Sequence, residues 1–373
     1  MKILLIPYNY PTKENTNRAI FVQDQVEMLR NQGYCVTVLG GIPKTISDIF
    51  SSGCLRFGKH FEESWLISFP AFRGMSSFNN WLRTQLGKHL VKQYVRQNTH
   101  NLPDILHFHN SSSAELALWV KKNYKIPFVV TEHSSLMLSG YSKLSSLVFK
   151  ESMANIAVSK QFAQHLSKKY NEKFYYIPNV VDTGYFQPIK TSAEIGNNNI
   201  NVDNAIFVSV GNLTENKNHR LAIIALKNIT TRFKNVKLFL AGEGPERRNL
   251  ERLISELHLC NNVFLLGKLP RSEVRELLWK SDFFVLPSKS ETFGVVLIEA
   301  MAAGLPTLSL TNGGSESIIS SSVGFIAKDE KDFIACMEKL LKTRFDNEQI
   351  IDYACLNFSQ SAVSSLLKKV YTL

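Results

Sequence analysis

Phe283-Phe284-Val285-Leu286-Pro287-Ser288-Lys289-Ser290-Glu291-Thr292-Phe293-Gly294-Val295-Val296-Leu297-Ile298-Glu299-Ala300-Met301-Ala302-Ala303-Gly304-Leu305-Pro306 joins two kinds of local order. Residues 283–286 are continuously apolar and few, the pattern of a strand buried on both faces. Residues 293–303 read as a helix that Gly304 and Pro306 bring to a stop. A strand therefore hands the chain to a helix N-terminus. The first N–H groups of that helix, on Phe293, Gly294, Val295 and Val296, have no acceptor within it, and the positive end of the helix dipole points the same way. An anion of diphosphate size fits such a place. It does not explain Glu291 and Glu299, since each carboxylate raises the cost of holding a phosphate nearby. Two readings stand at this point. Glu291 is a charge near the cap and Glu299 a solvated helix residue, or the two accept hydrogen bonds from sugar hydroxyls on either side of one diphosphate.

The spacing Glu291, seven residues, Glu299, followed by Ala-Met-Ala-Ala-Gly-Leu-Pro, resembles the signature of the family-4 retaining glycosyltransferases of GT-B fold. The resemblance implies that Glu291 contacts the donor sugar, that Glu299 contacts the nucleotide ribose, and that backbone amides between them hold the diphosphate. It also implies an α/β architecture of two Rossmann-like, doubly wound domains facing across a cleft. On that reading residues 1–183 form an acceptor-binding domain and residues 184–357 a nucleotide-sugar-binding domain. Residues 358–373 form a terminal helix that crosses back to the first.

A chain of 373 residues exceeds what one core usually supports, and 44% apolar with 20% charged residues is an ordinary globular composition. Residues 3–6 are the only continuously apolar run near the start, too short for a signal peptide, and no later run approaches the about 18 apolar residues of a membrane span. Five scattered cysteines without Cys-x-x-Cys spacing suit reduced thiols in a cytoplasmic protein. Through Lys190 there are 22 Lys and Arg against 12 Asp and Glu, a balance of +10 out of the total +11. That basic half carries no recognition-helix, zinc-finger or RNP-type motif, which argues against nucleic acid. An anionic membrane surface or a phosphorylated lipid carrier suits it better, giving a cytoplasmic protein peripheral at the inner face of the membrane. Residues 78–96 set Phe78, Trp81, Leu82, Leu86, Leu90 and Tyr94 at helical spacing among Arg83, Lys88, Lys92 and Arg96. This is either an interfacial helix on anionic lipid or a core helix whose basic residues face water.

Short strands at residues 2–6, 34–39, 104–108, 127–131 and 155–158 alternate with helices at 19–31, 113–122 and 160–170, as in a parallel sheet covered on both faces. Ligand-facing groups of such sheets follow the strand ends. Arg18, in the loop after the first strand, and Asn110 are candidate acceptor or phosphate contacts. His107 and His109 sit two apart but lack acidic or Cys partners at ligand spacing, so no metal is expected. His133 resembles the family's histidine that reaches the transferred sugar, the alternative being a buried structural imidazole.

The strand–helix rhythm repeats with strands at 205–210, 236–241, 262–266, 282–286 and 307–310 and helices at 218–233, 245–257 and 272–280. Residues 191–204 are polar and read as a solvated loop. Gly211-Asn212-Leu213 with Lys217 resembles the family's diphosphate site, where an Arg is common at the position of Asn212. Lys217 keeps one of the two usual cations. Gly267 lies where the resemblance lets backbone groups meet the nucleotide base, and Gly313-Gly314 with Glu316 resembles a turn near the donor. Helices are expected from Asp329 to the end.

A glycosidase needs carboxyl groups about 5 to 5.5 Å or about 6.5 to 9.5 Å apart. Eight helical residues rise about 12 Å, so Glu291 and Glu299 fit poorly as such a pair. The chemistry implied is transfer from a nucleotide diphosphate to an acceptor hydroxyl, with Glu291, His133 and Lys217 as the catalytic set. The resemblance adds retention of configuration, no obligatory metal and no cofactor, the nucleotide sugar being a substrate. A nucleotide-sugar epimerase of the same architecture, a non-catalytic binder of sugar nucleotide or lipid carrier, and a basic nucleic-acid-binding protein remain as alternatives.

Overall fold

Lys2–Pro7 forms β1, an apolar run buried from its second residue on, and everything in the first half is arranged about it. The computed structural model describes residues 1–11, 19–44, 57–59, 64–133, 137, 142–188 and 201–373. They divide into two units, Met1–Pro178 with Ser364–Leu373, and Asn179–Val363.

In the first unit α1 (Ile20–Asn31), β2 (Cys35–Lys44), β3 (Phe57–Lys59), β4 (Ser64–Pro70), α2 (Ser76–Gln97), β5 (Ile105–His109) and α3 (Ala114–Tyr124) follow β1. They are succeeded by β6 (Phe128–Glu132), α4 (Lys143–Glu151), β7 (Ala154–Ala157), α5 (Lys160–Tyr170) and β8 (Phe174–Tyr176). The sheet runs β3-β4-β2-β1-β5-β6-β7-β8 and is parallel throughout except for the β3–β4 pair. Strand order reverses between β1 and β5, so a crevice opens beyond their C-terminal ends. β2 is longer than its apolar core suggests. Residues 40–44 continue it because they pair with β4, a strand that the hydrophobic pattern did not single out. Cys35, Cys260, Cys336 and Cys355 carry free thiols.

The second unit holds α6 (Thr183–Phe186), β9 (Ile206–Val210), α7 (His219–Thr230), β10 (Lys237–Ala241), α8 (Arg247–Glu256), β11 (Val263–Gly267) and α9 (Arg271–Trp279). β12 (Phe283–Leu286), α10 (Val295–Ala302), β13 (Thr307–Leu310), β14 (Gly324–Ala327), α11 (Glu330–Lys342) and α12 (Asn347–Phe358) complete it. Its parallel sheet runs β11-β10-β9-β12-β13-β14, with the reversal between β9 and β12. Phe207 and Phe283 stack at 5.0 Å across those two central strands, in a core shared with Leu221, Leu226, Leu238 and Phe333. Each such side chain contributes roughly 1.5–3 kcal/mol on burial.

The division falls at Pro178 and Val363, not at 183 and 357. α6 packs on α10 and α12 and therefore belongs with the second unit. The last helix, α13 (Gln360–Tyr371), ends in the first unit, where the Tyr371 hydroxyl lies 2.6 Å from His107 Nδ1. The polar stretch from Thr191 to residue 200 lies outside the described residues, and residues 202–204 form one 3₁₀ turn. Leu367, Val370 and Tyr371 are each under a tenth exposed. Ending the chain before Leu367 is expected to destabilise the first unit by about 4 kcal/mol or more, from roughly 1.5–3 per buried side chain. Faster hydrogen exchange at the β5 amides would show it, and unchanged exchange there would refute it.

Candidate active site

The loops leaving β9 and β12 meet at the point where the second sheet reverses. Lys289 N donates to Asn216 O at 2.8 Å, and Asn216 Nδ2 donates to Ser290 O at 2.9 Å. Crossed ion pairs flank this seam, Lys217 to Glu291 at 2.5 Å and Lys289 to Glu215 at 2.9 Å. The pairs differ in kind. Lys217 and Glu291 are 24% and 14% exposed, whereas Lys289 and Glu215 are 47% and 86% exposed. Water screens the second pair, so the first carries the electrostatics of the crevice.

Gly294 caps α10 with φ 114°, a backbone state that side chains rarely adopt, and Leu297 N is the first to donate back, to Gly294 O at 3.0 Å. The helix thus begins two residues later than its apolar pattern suggests, because Thr292-Phe293-Gly294 is spent in the turn. Glu291 is not on the helix, and the 12 Å rise expected between the two carboxylates does not apply. Glu299 is 8% exposed, which removes its reading as a solvated residue. Phe293 is buried with its ring edge-on to Phe358 at 6.2 Å. Gly314 approaches so closely that a Cβ there would sit 2.4 Å from Phe293 O and 2.6 Å from Phe293 N. That approach is held from behind. Asn312 Oδ1 accepts from Gly314 N and Ser315 N, both carboxylate oxygens of Glu316 accept from Gly313 N, and Glu291 N donates to Asn312 O. The α10 N-terminus, with Val295 and Val296 in its first turn, is fixed before any ligand arrives.

Gly211 N donates to Ala241 O, which ties the β9 loop to the end of β10, and Gly242 N donates to Gly267 O at 2.8 Å. Asn212 is exposed at the crevice. His219, unremarked in the sequence, starts α7 beneath this loop and is 2% exposed, with neither ring nitrogen closing a full hydrogen bond. Burial pushes its pKa down to about 4, against the backbone of Gly211 and Asn212, which raises it, and with Lys217, which lowers it further. A histidine following a Lys-Asn pair carries no sequence signal of burial.

In the first unit His133 follows β6, and its Nε2 lies 2.9 Å from His109 Nδ1 at the end of β5. Phe21 of α1 covers the His133 ring at 4.8 Å. Glu132, wholly buried, accepts from Ser111 N at 3.0 Å and from His133 N at 3.2 Å, and so fixes the ends of both strands. His107 commits both ring nitrogens to protein partners, Tyr371 Oη at 2.6 Å and Thr131 Oγ1 at 2.7 Å, so the His-x-His pair does not converge on a common point. Burial, the chief cause, lowers His107 and His133 to about 3 and His109 well below the ordinary value. Asn110 has φ 91°, and its Oδ1 accepts from Ser112 N at 2.8 Å, so its carboxamide caps a turn. Arg18 lies outside the described residues.

Two α/β units, each built on a largely parallel sheet with a switch point, are the architecture of the GT-B fold. Solved structures agree on the fold. Sucrose-phosphate synthase from Thermosynechococcus elongatus covers 100% of this chain and 98% of its own at TM-score 0.77 and 18% identity. Anabaena HepE in complex with UDP covers 100% of both at TM-score 0.72 and 18% identity. Residues 19–185 match the family described as Glycosyltransferase Family 4, and residues 191–355 match Glycosyl transferases group 1. The chain belongs to the family-4 glycosyltransferases. The putative teichuronic acid biosynthesis glycosyltransferase TuaC of Bacillus subtilis is 25% identical over 94% of this chain and 90% of its own. The chain spans about half the length of other curated relatives it matches.

The buried imidazoles give a signed expectation for acid stability. Each is neutral when folded and takes up a proton near pH 6.5 when unfolded, so the unfolded state binds more protons below that pH. Their stabilisation is present above pH 6.5 and is lost as pH falls from there toward 3 to 4. Urea midpoints should therefore fall between pH 7 and pH 5, by less in a His219→Phe variant. A flat profile over that range would contradict the assignment. Separately, Lys217→Ala is expected to weaken nucleoside diphosphate binding by about 10- to 100-fold, the 1.5–3 kcal/mol of a charge-assisted hydrogen bond. Calorimetry showing a change within about twofold would remove Lys217 from the phosphate site.

Proposed function

We propose that the protein transfers a hexose-type sugar from a nucleoside diphosphate donor to a hydroxyl of a glycan or lipid-linked acceptor, with retention at the anomeric carbon. The proposed setting is cell-surface polysaccharide synthesis. The observation that carries the reading is the half-buried Lys217–Glu291 pair at the switch point of the second unit, beside the N-terminus of α10. The likeness to TuaC along most of both chains supports the polysaccharide setting, and HepE, named in complex with UDP-glucose, supports a sugar nucleotide as donor.

In this reading Glu291 waits with its charge neutralised by Lys217. An arriving diphosphate draws the ammonium to its own oxygens, and the released carboxylate accepts from the hydroxyls of the donor sugar. Glu299, on α10, accepts from the ribose. The backbone N–H groups of Phe293, Gly294, Val295 and Val296 and the Asn212 amide meet the diphosphate, while Gly211 and Gly267 let the nucleotide come close to the backbone. Negative charge builds on the leaving phosphate as the glycosidic bond breaks, and Lys217 with the α10 dipole stabilises it most at that moment. The leaving phosphate accepts the proton of the attacking hydroxyl, so the reaction needs neither a protein nucleophile nor a metal. His133 contributes a contact to the transferred sugar.

The membrane reading changes its location. Arg83 lies 3.8 Å over the Tyr8 ring, Lys88 pairs with Glu115 at 2.7 Å, and Lys92 lies 5.6 Å over Trp119, so these charges are occupied by the protein itself. Met75, Phe78 and Trp81, at the start of α2, are 50%, 40% and 52% exposed, with the Phe78 and Trp81 rings stacked at 5.7 Å. A peripheral contact with anionic lipid is therefore proposed through this aromatic tip. No described helix is long and apolar enough to cross a membrane.

Screening UDP- and GDP-sugars by thermal shift, and then by nucleotide release with and without acceptor, tests the activity. Glu291→Ala is expected to keep nucleoside diphosphate affinity, since it frees Lys217, and to lose transfer. Release independent of any acceptor, or full transfer by Glu291→Ala, would overturn the reading. In flotation with anionic liposomes, Phe78→Glu with Trp81→Glu should abolish binding while charge reversal at Lys88 leaves it intact. The opposite pattern would return the contact to the basic face.

A further inference from the structure

Arg83 is a cation of α2 that the protein covers without neutralising. Its guanidinium lies 3.8 Å over the Tyr8 ring and 5.6 Å from that of Phe69. Tyr8 is the first residue after β1 and Phe69 the last but one of β4, so the group sits at the C-terminal ends of the strands, where ligand-facing groups of a parallel sheet gather. Gly41 of β2 makes room for it, since a Cβ there would lie 2.9 Å from Phe69 Cε1 and 3.9 Å from Arg83 Cγ. On the same helix Lys88 pairs with Glu115 at 2.7 Å, whereas among the described residues no carboxylate comes within ion-pair distance of Arg83. Stacking uses the face of a guanidinium and leaves its N–H donors in the plane. Arg83 Nε is buried without a partner, and Nη1 has only Asn80 Oδ1, at 3.5 Å, outside the usual range of about 2.7–3.2 Å. Nη2 has no partner among the described residues and is not buried. The terminal edge, Nη1 with Nη2, is therefore the open one, and its donors are almost unspent.

We infer that Arg83 holds the acceptor by an anionic group: its Nη1–Nη2 edge donates to two oxygens of a phosphate or carboxylate that the acceptor carries. The inference rests on the reading of the first unit as the acceptor side, and it adds a charge requirement to that reading. A guanidinium covered by an aromatic ring has lost water on that face, and with no carboxylate beside it the loss is offset only when an anion arrives. Lys217 differs in this respect, because Glu291 already balances it. The fork of two terminal nitrogens matches paired oxygens of a phosphate or carboxylate, and a neutral hydroxyl can use only part of it. Tyr8 and Phe69 fix the plane of the group beforehand, so little freedom is lost on binding. The balance of +10 on residues 1–190 draws acidic acceptors toward the same unit. A lipid-linked phosphate and an acidic sugar present the same pair of oxygens, and Arg83 accepts either while excluding an uncharged acceptor.

Phenylglyoxal attacks the Nη1–Nη2 edge of accessible arginines, and peptide mass mapping locates the product. The full chain is treated in saturating UDP, which fills the donor site, together with glycerol 3-phosphate, glucuronate, or the neutral compounds glycerol and glucose. The expected result is that Arg83 reacts in UDP alone and is protected by at least one of the anions but by neither neutral compound. The exposed Arg73 should react throughout. Protection by glycerol 3-phosphate alone identifies a phosphate on the acceptor, and protection by glucuronate alone a carboxylate. Calorimetric affinity for the protecting anion should fall about 10- to 100-fold in Arg83→Gln, with UDP affinity kept within about twofold as the sign of a folded variant. An Arg83 that does not react, that neither anion protects, or that glucose protects equally would overturn the inference, and those measurements need no variant. A native chain that fails to bind UDP would instead strike the donor reading, while protection at Arg83 still decides this one.

Discussion

A cation and a carboxylate that share one half-buried crevice must neutralise each other until something better arrives, and the second unit is built round that constraint. The Lys217–Glu291 pair closes the seam between the loops that leave β9 and β12, at the one place where the parallel sheet reverses. Were Glu291 unpaired there, its charge would repel a diphosphate at the α10 N-terminus. Were Lys217 unpaired, it would lose ordering that the carboxylate now supplies. Pairing them gives a site whose charges are positioned but mutually satisfied, so a dianionic ligand gains a cation without having to organise it. The backbone around the pair is determined by separate contacts. The approach of Gly314 to Phe293 and the Asn312 and Glu316 bonds hold the turn before α10, and the pair itself does not have to.

The first unit solves a different problem with different chemistry. The ends of β5 and β6 bring three imidazoles together without a charge among them, and Glu132 turns both oxygens to backbone N–H groups. Neutral rings in a buried stack offer directional hydrogen bonds where ammonium groups would require counter-ions. Directional donors without net charge suit sugar hydroxyls, while a fixed cation suits a phosphate. The last turn of α13 enters this arrangement through Tyr371, whose hydroxyl lies against His107, so the end of the chain helps to order the strand ends of its beginning.

Much of this was legible in the sequence because parallel strands buried on both faces are short apolar runs with sharp ends, as at residues 283–286 and 307–310. Where a strand owes its length to a neighbour, the signal fails. Gly40-Gly41 and Pro43 interrupt the apolar pattern of β2, and only pairing with β4 keeps them extended. Glu291 and Lys217 were legible as chemistry through the family resemblance, but their ion pair was not, since they are 74 positions apart. The start of α10 was misplaced because Phe293 looks like a helix residue, whereas Gly294 at positive φ makes it part of the turn. Glu299 is a different case. Val295–Ala302 is apolar at every position but that one, the pattern of a helix covered on all sides, so the burial of this carboxylate follows from its neighbours and not from its own charge. The burial of His219 was not legible because it belongs to the tertiary structure.

Asn212 bears on how such an enzyme turns over. In the proposed reaction, with an amide where the family commonly has a guanidinium, the diphosphate would meet one full charge, Lys217, together with the α10 dipole and neutral donors. A guanidinium there would contact the diphosphate of the donor and also the nucleoside diphosphate left after transfer. An interaction that is equally strong in both states lowers KM and slows product departure without lowering the barrier to reaction. Removing one such cation weakens both states together. On that proposal the groups whose contribution grows as the glycosidic bond breaks, Lys217 and the N–H groups of α10, are those that remain. A site with fewer fixed charges can therefore keep its catalytic electrostatics while releasing its product more readily, provided the surviving cation is held accurately, and the Glu291 carboxylate holds it there between turnovers.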